Sequence, residues 1–315
     1  MRNLIIASCL VFFTYHASAQ GCSDAGFCTM GAMKPDQSYS KQIDFKLRTL
    51  ELNYYRGRSL LSPVITAITA DMTFGINDLT AIQLKVPYQM VSGNLGETSG
   101  IADLSISATR SFPIERGAVG VTLGGKLPTG KANIEKEPSE LGPGGDYPMY
   151  YQTSLGTYDI VLGTSYINEN WLFATGIQLP IVHQNENDFR WGHWPGYPSP
   201  DYINSHDLAN NLRRGTDIML RAERNFRYVN YNFGIGALGI YRISKDEVYN
   251  FRTDTREKLD GTTGLAFTML ANFGYHINVN HSLKLIYAHK VTDREVNPDG
   301  LTRHDVLSTS YIYRF

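Results

Sequence analysis

From about residue 43 to its end the chain is written largely in a period of two. Ile82, Leu84 and Val86 alternate with Gln83 and Lys85. Trp171, Phe173, Ile177 and Leu179 oppose Ala174, Gly176 and Gln178. Ile218, Leu220 and Ala222 oppose Asp217, Met219, Arg221 and Glu223, and Leu283, Leu285 and Tyr287 oppose Lys284 and Ala288. Successive side chains of a strand point to opposite faces, so this spacing predicts strands with one apolar face. Twelve are predicted, over roughly 43–55, 62–76, 79–90, 101–112, 117–127, 152–166, 170–181, 214–226, 229–243, 262–276, 281–292 and 303–315. In the last, Leu307, Thr309, Tyr311, Tyr313 and Phe315 share a face, with Ser308, Ser310 and Arg314 on the other. In the first, Ile43, Phe45 and Leu47 change phase before Leu50, Leu52 and Tyr54, which predicts a bulge or a later start. Ten or fourteen strands stay compatible with the pattern.

The connections carry a second pattern. Short links (Asn77-Asp78, Pro113 to Arg116, Asn168-Glu169, Arg227-Tyr228, Asn278 to Asn280) alternate with longer ones at 91–100, 128–151, 182–213, 244–261 and 293–302. Transmembrane β-barrels have short turns at the periplasmic rim and long loops outside, with an apolar outer face and a polar interior. The alternation predicts an all-β, antiparallel transmembrane barrel over residues 43–315, with both strand ends periplasmic. Pro87, Pro128 and Pro180 fall near the outer ends of upward strands. There they either end the strand or open the ladder locally.

The start of the chain agrees with export. Arg2, the apolar run Leu4 to Tyr15 and Ala17-Ser18-Ala19 read as a signal peptide over 1–19. Residues 20–42, rich in Gly, Ser and Met, read as a periplasmic tail or a small plug. Of three cysteines, Cys9 lies in the signal. Cys22 and Cys28 are then an exported pair, read as a disulfide, with free thiols or acylation of Cys22 as alternatives. No run of eighteen apolar residues is present, which leaves a barrel untouched because its strands need only about 9–11 residues. The 20 Tyr, 14 Phe and 29 Gly suit interfacial girdles and tight packing, although a secreted β-sandwich shares this composition. A net charge of −1 gives no reason to expect a nucleic-acid partner.

The closing strand with its terminal aromatic resembles the last strand of bacterial outer-membrane barrels. The stretch Gly117 to Gly130, ending Gly124-Gly125-Lys126-Leu127-Pro128-Thr129-Gly130, resembles a G-x-K-L-P-T-G segment of the outer-membrane proteins linked to phenol meta-degradation. That group is distantly similar to the long-chain fatty-acid and aromatic-hydrocarbon channel proteins. The resemblance covers little more than one strand. It implies a barrel that passes small hydrophobic molecules. The chain departs from the fatty-acid channels in two ways. It has Gly21 to Cys28 where they carry Asn-Pro-Ala, and it has about two strands fewer. The style of the sequence resembles outer-membrane proteins of Bacteroides-like bacteria.

Inward positions hold Lys85, Asp103, Asp159, Asp217, Arg221, Glu223, Lys284 and Arg314. They read either as a structural charge network or as a polar constriction contacting solute. The 182–213 loop gathers Arg190, Trp191, His193, Trp194 and Tyr197. These either fold over the mouth and meet a ligand or partner, or form a small core of their own. An enzyme is not expected. Ser205-His206-Asp207 are adjacent in a loop, whereas triads converge from separated positions. Ser282 beside His281 lies at the wrong rim for surface lipid chemistry, and no His-x-Ser-Asn-Gly arrangement is present. No cofactor and no metal site are expected, since Cys22 and Cys28 would need His183 or His193 from a distant loop. The leading expectation is an outer-membrane channel or uptake protein for a small solute, hydrophobic ones among the candidates, in contact with lipid and lipopolysaccharide. The alternative is an accessory barrel docking another envelope protein.

Overall fold

The computed structural model describes residues 30, 33–34, 46–138, 144–301 and 303–315. The predicted signal peptide, Cys22, Cys28 and most of the predicted tail lie outside the described residues. Among those described, twelve antiparallel strands close into a barrel. They are β1 (Lys46–Arg58), β2 (Val64–Asn77), β3 (Thr80–Gly93), β4 (Gly96–Ile101, resumed as Leu104–Ile114), β5 (Gly117–Leu127), β6 (Thr157–Ile167), β7 (Trp171–His183), β8 (Asp217–Arg227), β9 (Tyr231–Arg242), β10 (Gly264–His276), β11 (His281–Thr292) and β12 (Asp305–Arg314). Each pairs with its chain neighbour, and β1 pairs with β12 from Thr49↔Arg314 to Arg58↔Asp305. The expected architecture is the one formed.

Alternation sets which side each residue faces. Leu52, Ile68, Ile106, Leu123, Leu220, Phe273 and Leu285 stand exposed on the outer wall. Near the short turns Phe226 stacks on Phe233 and Tyr228 on Tyr231, and Tyr313 meets Phe315 edge-on. Aromatic rings with an apolar body and a polar tip suit a lipid–water boundary. The phase change in β1 coincides with a register shift between Leu47 and Thr49 against β2, a bulge at Arg48.

Two details differ from the sequence reading. The connection expected at 91–100 is mostly strand: β3 runs to Gly93, and the turn is only Asn94-Leu95. Pro87 and Pro180 sit inside β3 and β7 rather than at their ends, each at a break in pairing register. A residue without an N–H is tolerated in a sheet where the ladder is already interrupted.

The long connections fold over the mouth instead of standing away from it. Residues 145–151 and 189–203 share an apolar cluster of Tyr147, Tyr150, Tyr151, Phe189, Trp194 and Ile203 with Ile65 and Val91 of the wall. The 293–304 connection is drawn inward by charge. Arg242 bonds Asp217, Asp246 and Asp299 at 2.8, 2.7 and 2.9 Å, and Arg214 and Arg294 approach Asp299 at 3.6 and 3.3 Å. Burial pushes the Asp299 carboxyl up, but the three guanidiniums together hold it well below the usual carboxylate range.

Arg242 is 1 % exposed, so removing it leaves Asp217, Asp246 and Asp299 buried with only Arg214 and Arg294 to share among them. Arg242→Ala is expected to cost about 3–5 kcal/mol, measured as a lower urea midpoint for unfolding in detergent micelles.

Candidate functional site

Beneath the folded loops the barrel encloses a cavity of about 200 Å³. Its two sides differ in character because different strands supply them. On β9, β10 and β12 the inward positions include Leu238, Leu270 and Val306, and β11 adds Ile286 and Ala288. Ala288 pairs directly with both Leu270 and Val306, so these side chains form one apolar stripe. On β1 to β3 the inward positions are Glu51, Asp71, Gln83 and Lys85, tied into a polar group. Gln83 Nε2 donates to both Asp71 oxygens at 2.9 Å, and Lys85 Nζ lies 3.7 Å from Asp71. The apolar stripe was not foreseen, because a barrel interior is expected to be polar. Its signal was present in the inward phase of Leu238, Leu270 and Val306.

The floor is built partly by Met30, Met33 and Lys34. Lys34 Nζ bonds Glu51 at 2.5 Å and Asp71 at 3.0 Å. The Met33 carbonyl accepts from Arg221 Nη1 at 3.0 Å. Met30 and Met33 are fully buried in the lumen against Val161, Leu172 and Met219. They fit because the wall is bare there. A Cβ on Gly163 or Gly176 would stand 2.7 or 2.4 Å from Met33 Sδ, and one on Gly124 would stand 2.3 Å from Met30 Sδ. Gly163 and Gly176 face one another across β6 and β7. A flexible thioether fills such irregular space well.

The roof is the 149–155 stretch with Asp299, Gly300, Leu301 and Arg303. Gln89 Nε2 of β3 donates to Gln152 O at 3.0 Å, and Thr98 Oγ1 of β4 donates to Tyr151 O at 2.5 Å. Gly300 meets the 149–155 stretch at φ +63°, where a Cβ would meet Tyr150 N at 2.5 Å.

The Lys126-Leu127-Pro128-Thr129-Gly130 segment has a local task. β4 is interrupted at Ala102-Asp103, where β3 pairing jumps from Lys85↔Ser105 to Tyr88↔Ile101. The extra residue is a bulge that leaves backbone groups without ladder partners. Ala102 N donates to Pro87 O at 2.9 Å. Thr129 Oγ1 donates to Ala102 O at 2.7 Å and accepts from Leu104 N at 3.1 Å, closing the gap with one hydroxyl. Lys126 lies between Asp103 and Asp159 at 3.3 and 3.2 Å. Gly130 passes between Ile101 O and Thr153 O, each 2.8 Å from where its Cβ would be.

Lys85, Asp103, Asp159, Asp217, Arg221, Glu223 and Lys284 are all buried. Of these, Lys85, Asp103, Arg221 and Lys284 line the cavity. Asp159 and Asp217 belong to the ion networks above it. Glu223 pairs with Arg221 at 2.8 Å and accepts from Asn272 at 3.2 Å. Arg314 lies at the short-turn rim and donates to Ser282 Oγ at 2.7 Å.

None of the five loop candidates lines the cavity. Trp194 is buried between Tyr147 and the Lys136 ammonium, 4.5 Å above its ring. Tyr197 stacks on Tyr202. Trp191 Nε1 donates to His206 O at 3.0 Å, and His193 lies beside Gly145. Arg190 pairs with Asp188 and covers Phe251 at 4.4 Å. Ser205, His206 and Asp207 do not converge. Ser205 Oγ donates to Tyr202 O, His206 Nδ1 faces the same oxygen, and Asp207 accepts from Asn297 N.

Comparison with solved structures agrees on the architecture. The outer membrane channel from Pseudomonas putida F1 superposes with a TM-score of 0.57 at 12 % identity, over 89 % of this chain and 99 % of that one. The CymD monoaromatic hydrocarbon channel gives 0.43 at 10 % identity, over 96 % and 95 %. The first likeness shows the fold, and the second is weaker. No protein-family profile and no curated protein matches the sequence.

One carboxyl beside the roof titrates in a useful range. Burial pushes Asp146 up to about 6. A hydrogen bond from Asp188 N at 2.5 Å opposes this, and the Glu135 and Asp188 carboxylates add to it. A carboxylic acid whose pKa is raised by packing binds its proton more tightly closed than open, so closure is favoured as pH falls through about 6 toward the ordinary 3.8. Amide-exchange protection of residues 147–155 is expected to be higher at pH 5 than at pH 7. Asp146→Asn should remove that difference.

Proposed function

We propose that this protein is an outer-membrane channel for a small amphipathic solute, one whose apolar side lies on the Leu238, Leu270 and Val306 stripe and whose polar side faces the Lys85–Asp71 wall. The observation that carries this reading is a two-sided cavity inside a closed barrel. A cavity near 150 Å³ accommodates a benzene ring, so about 200 Å³ fits a single-ring or short-chain solute. The outer wall, apolar with aromatic rims, supports a place in the outer membrane.

Passage through the lumen requires Met30, Met33 and Lys34 at the floor and the 149–155 roof to move, since both stand in its path. Lys34 is held by two carboxylates and Met33 by one hydrogen bond and side-chain packing, whereas the wall is held by continuous ladders. The floor and roof are therefore the parts able to shift without opening the barrel.

The test is uptake of benzoate and of glucose by liposomes holding the purified chain. Benzoate uptake is expected to exceed that of protein-free liposomes several-fold and to exceed glucose uptake. Leu270→Arg, which places a charge on the apolar stripe, should reduce it several-fold. Benzoate uptake no faster than in protein-free liposomes would refute the proposal.

A further inference from the structure

The loop-side end of the closing seam carries a cluster unrelated to the cavity. His289 of β11 and Asp305 of β12 are direct partners across the ladder, and Asp305 is also the partner of Arg58 at the end of β1. His304 immediately precedes β12. Its backbone is clamped on both sides: its N–H donates to Arg58 O at 2.6 Å, and its carbonyl accepts from Lys290 N at 3.3 Å. Three strands thus fix the backbones that carry two imidazoles and one carboxylate. The side chains converge. His289 Nδ1 lies 2.8 Å from Asp305 Oδ1, and His304 Nδ1 lies 2.8 Å from Asp305 Oδ2. The rings stand edge-on, 5.2 Å apart. All three possible ligand atoms lie within 4.8 Å of one another.

The geometry points to a transition-metal site on the outer rim of the barrel, with His289, His304 and Asp305 as ligands to a divalent ion such as zinc. Several observations agree. Two imidazole nitrogens with one carboxylate suit zinc, copper or nickel, whereas calcium and magnesium take oxygen ligands. Zinc–ligand bonds are about 2.0–2.2 Å, so a nitrogen and an oxygen 2.8 Å apart can both reach one ion at an angle of about 80–90°. Both histidine side chains are about a third exposed, at 34 % and 33 %, while the Asp305 carboxylate is 11 % exposed. Ions can enter, and water can complete the coordination. On binding, each Nδ1 that now meets Asp305 turns its lone pair to the metal, and the ring proton resides on Nε2.

The supporting shell is present as well. Tyr287 OH donates to Asp305 Oδ1 at 3.0 Å, and Arg58 donates to Oδ2. Such outer partners orient a ligating carboxylate. The Arg58 cation repels a dication, and as an exposed side chain it can swing away while Tyr287 keeps the carboxylate aligned. Because β11 and β12 carry the ligands next to the β1–β12 seam, a bound ion would fasten the barrel where its first and last strands meet. Nothing in the transport reading requires this ion, and the two can fail separately.

The test uses the full chain, folded in detergent and stripped with a chelator. Titration with Zn²⁺ by calorimetry is expected to give one ion per chain, and Co²⁺ should give visible absorption bands of nitrogen–oxygen coordination. His289→Ala/His304→Ala should lose at least about 100-fold in affinity. Tyr287→Phe, which leaves the ligands in place, should lose about 10-fold. Zn²⁺ should raise the melting temperature of the wild type and leave the double variant unchanged. Heat-dependent gel mobility reports whether each variant folds. If the double variant does not fold, carbethoxylation of wild-type histidines replaces it: Zn²⁺ should protect His289 and His304 above the other histidines. No binding by the wild type, equal affinity in the double variant, or no selective protection would each overturn the proposal.

Discussion

A backbone in hydrocarbon has no water to satisfy its N–H and C=O groups, and each group left bare costs several kcal/mol. Everything else in this structure follows from meeting that demand with strands. The ladder has to close, so β1 must find β12, and the pairing from Thr49↔Arg314 to Arg58↔Asp305 is the contact of longest sequence separation in the wall. Where the ladder fails, at Ala102-Asp103, substitutes appear at once: Pro87 O for one N–H, and the Thr129 hydroxyl for a carbonyl and a second N–H. The K-L-P-T-G stretch is thus explained by backbone satisfaction before any question of solute arises.

With the wall fixed, the interior has to be filled or left hollow, and the chain does both. Charges inside a barrel cannot remain unpaired without loss. They gather into groups: Lys34 with Glu51 and Asp71, Lys126 with Asp103 and Asp159, and Arg242 with Asp217, Asp246 and Asp299. The last group ties the 293–304 connection to β8 and β9, and the aromatic cluster around Tyr151 ties the 145–151 and 189–203 stretches to each other and to β2 and β3. A hollow is left between floor and roof, bounded by the apolar stripe.

How much of this could be read from the sequence depends on the range of the signal. Strand number, facing and the alternation of short and long connections are local, and they were legible because a period of two is visible within a few residues. The inward placement of Lys85, Arg221 and Lys284 follows from the same count. What escaped was either non-local or masked by a general rule. Asp246 and Asp299 look like ordinary loop acids until Arg242 brings them together. His289 and His304 are fifteen residues apart and become neighbours only through the β11–β12 register. Leu238 and Leu270 were visible as apolar residues in the inward phase, but a polar interior was assumed. The 91–100 stretch reads as one of the long connections because its alternation is weak, whereas the ladder to β3 holds it extended.

The bare patch made by Gly124, Gly163 and Gly176 has one more consequence. It interrupts no hydrogen bond of the wall, and it offers the methionines no socket with polar groups. The Met30 and Met33 side chains rest there through dispersion, and Arg221 holds the Met33 carbonyl by one hydrogen bond. A side chain added at any of these three glycines would push a methionine off the wall while every rung of the ladder stayed in place.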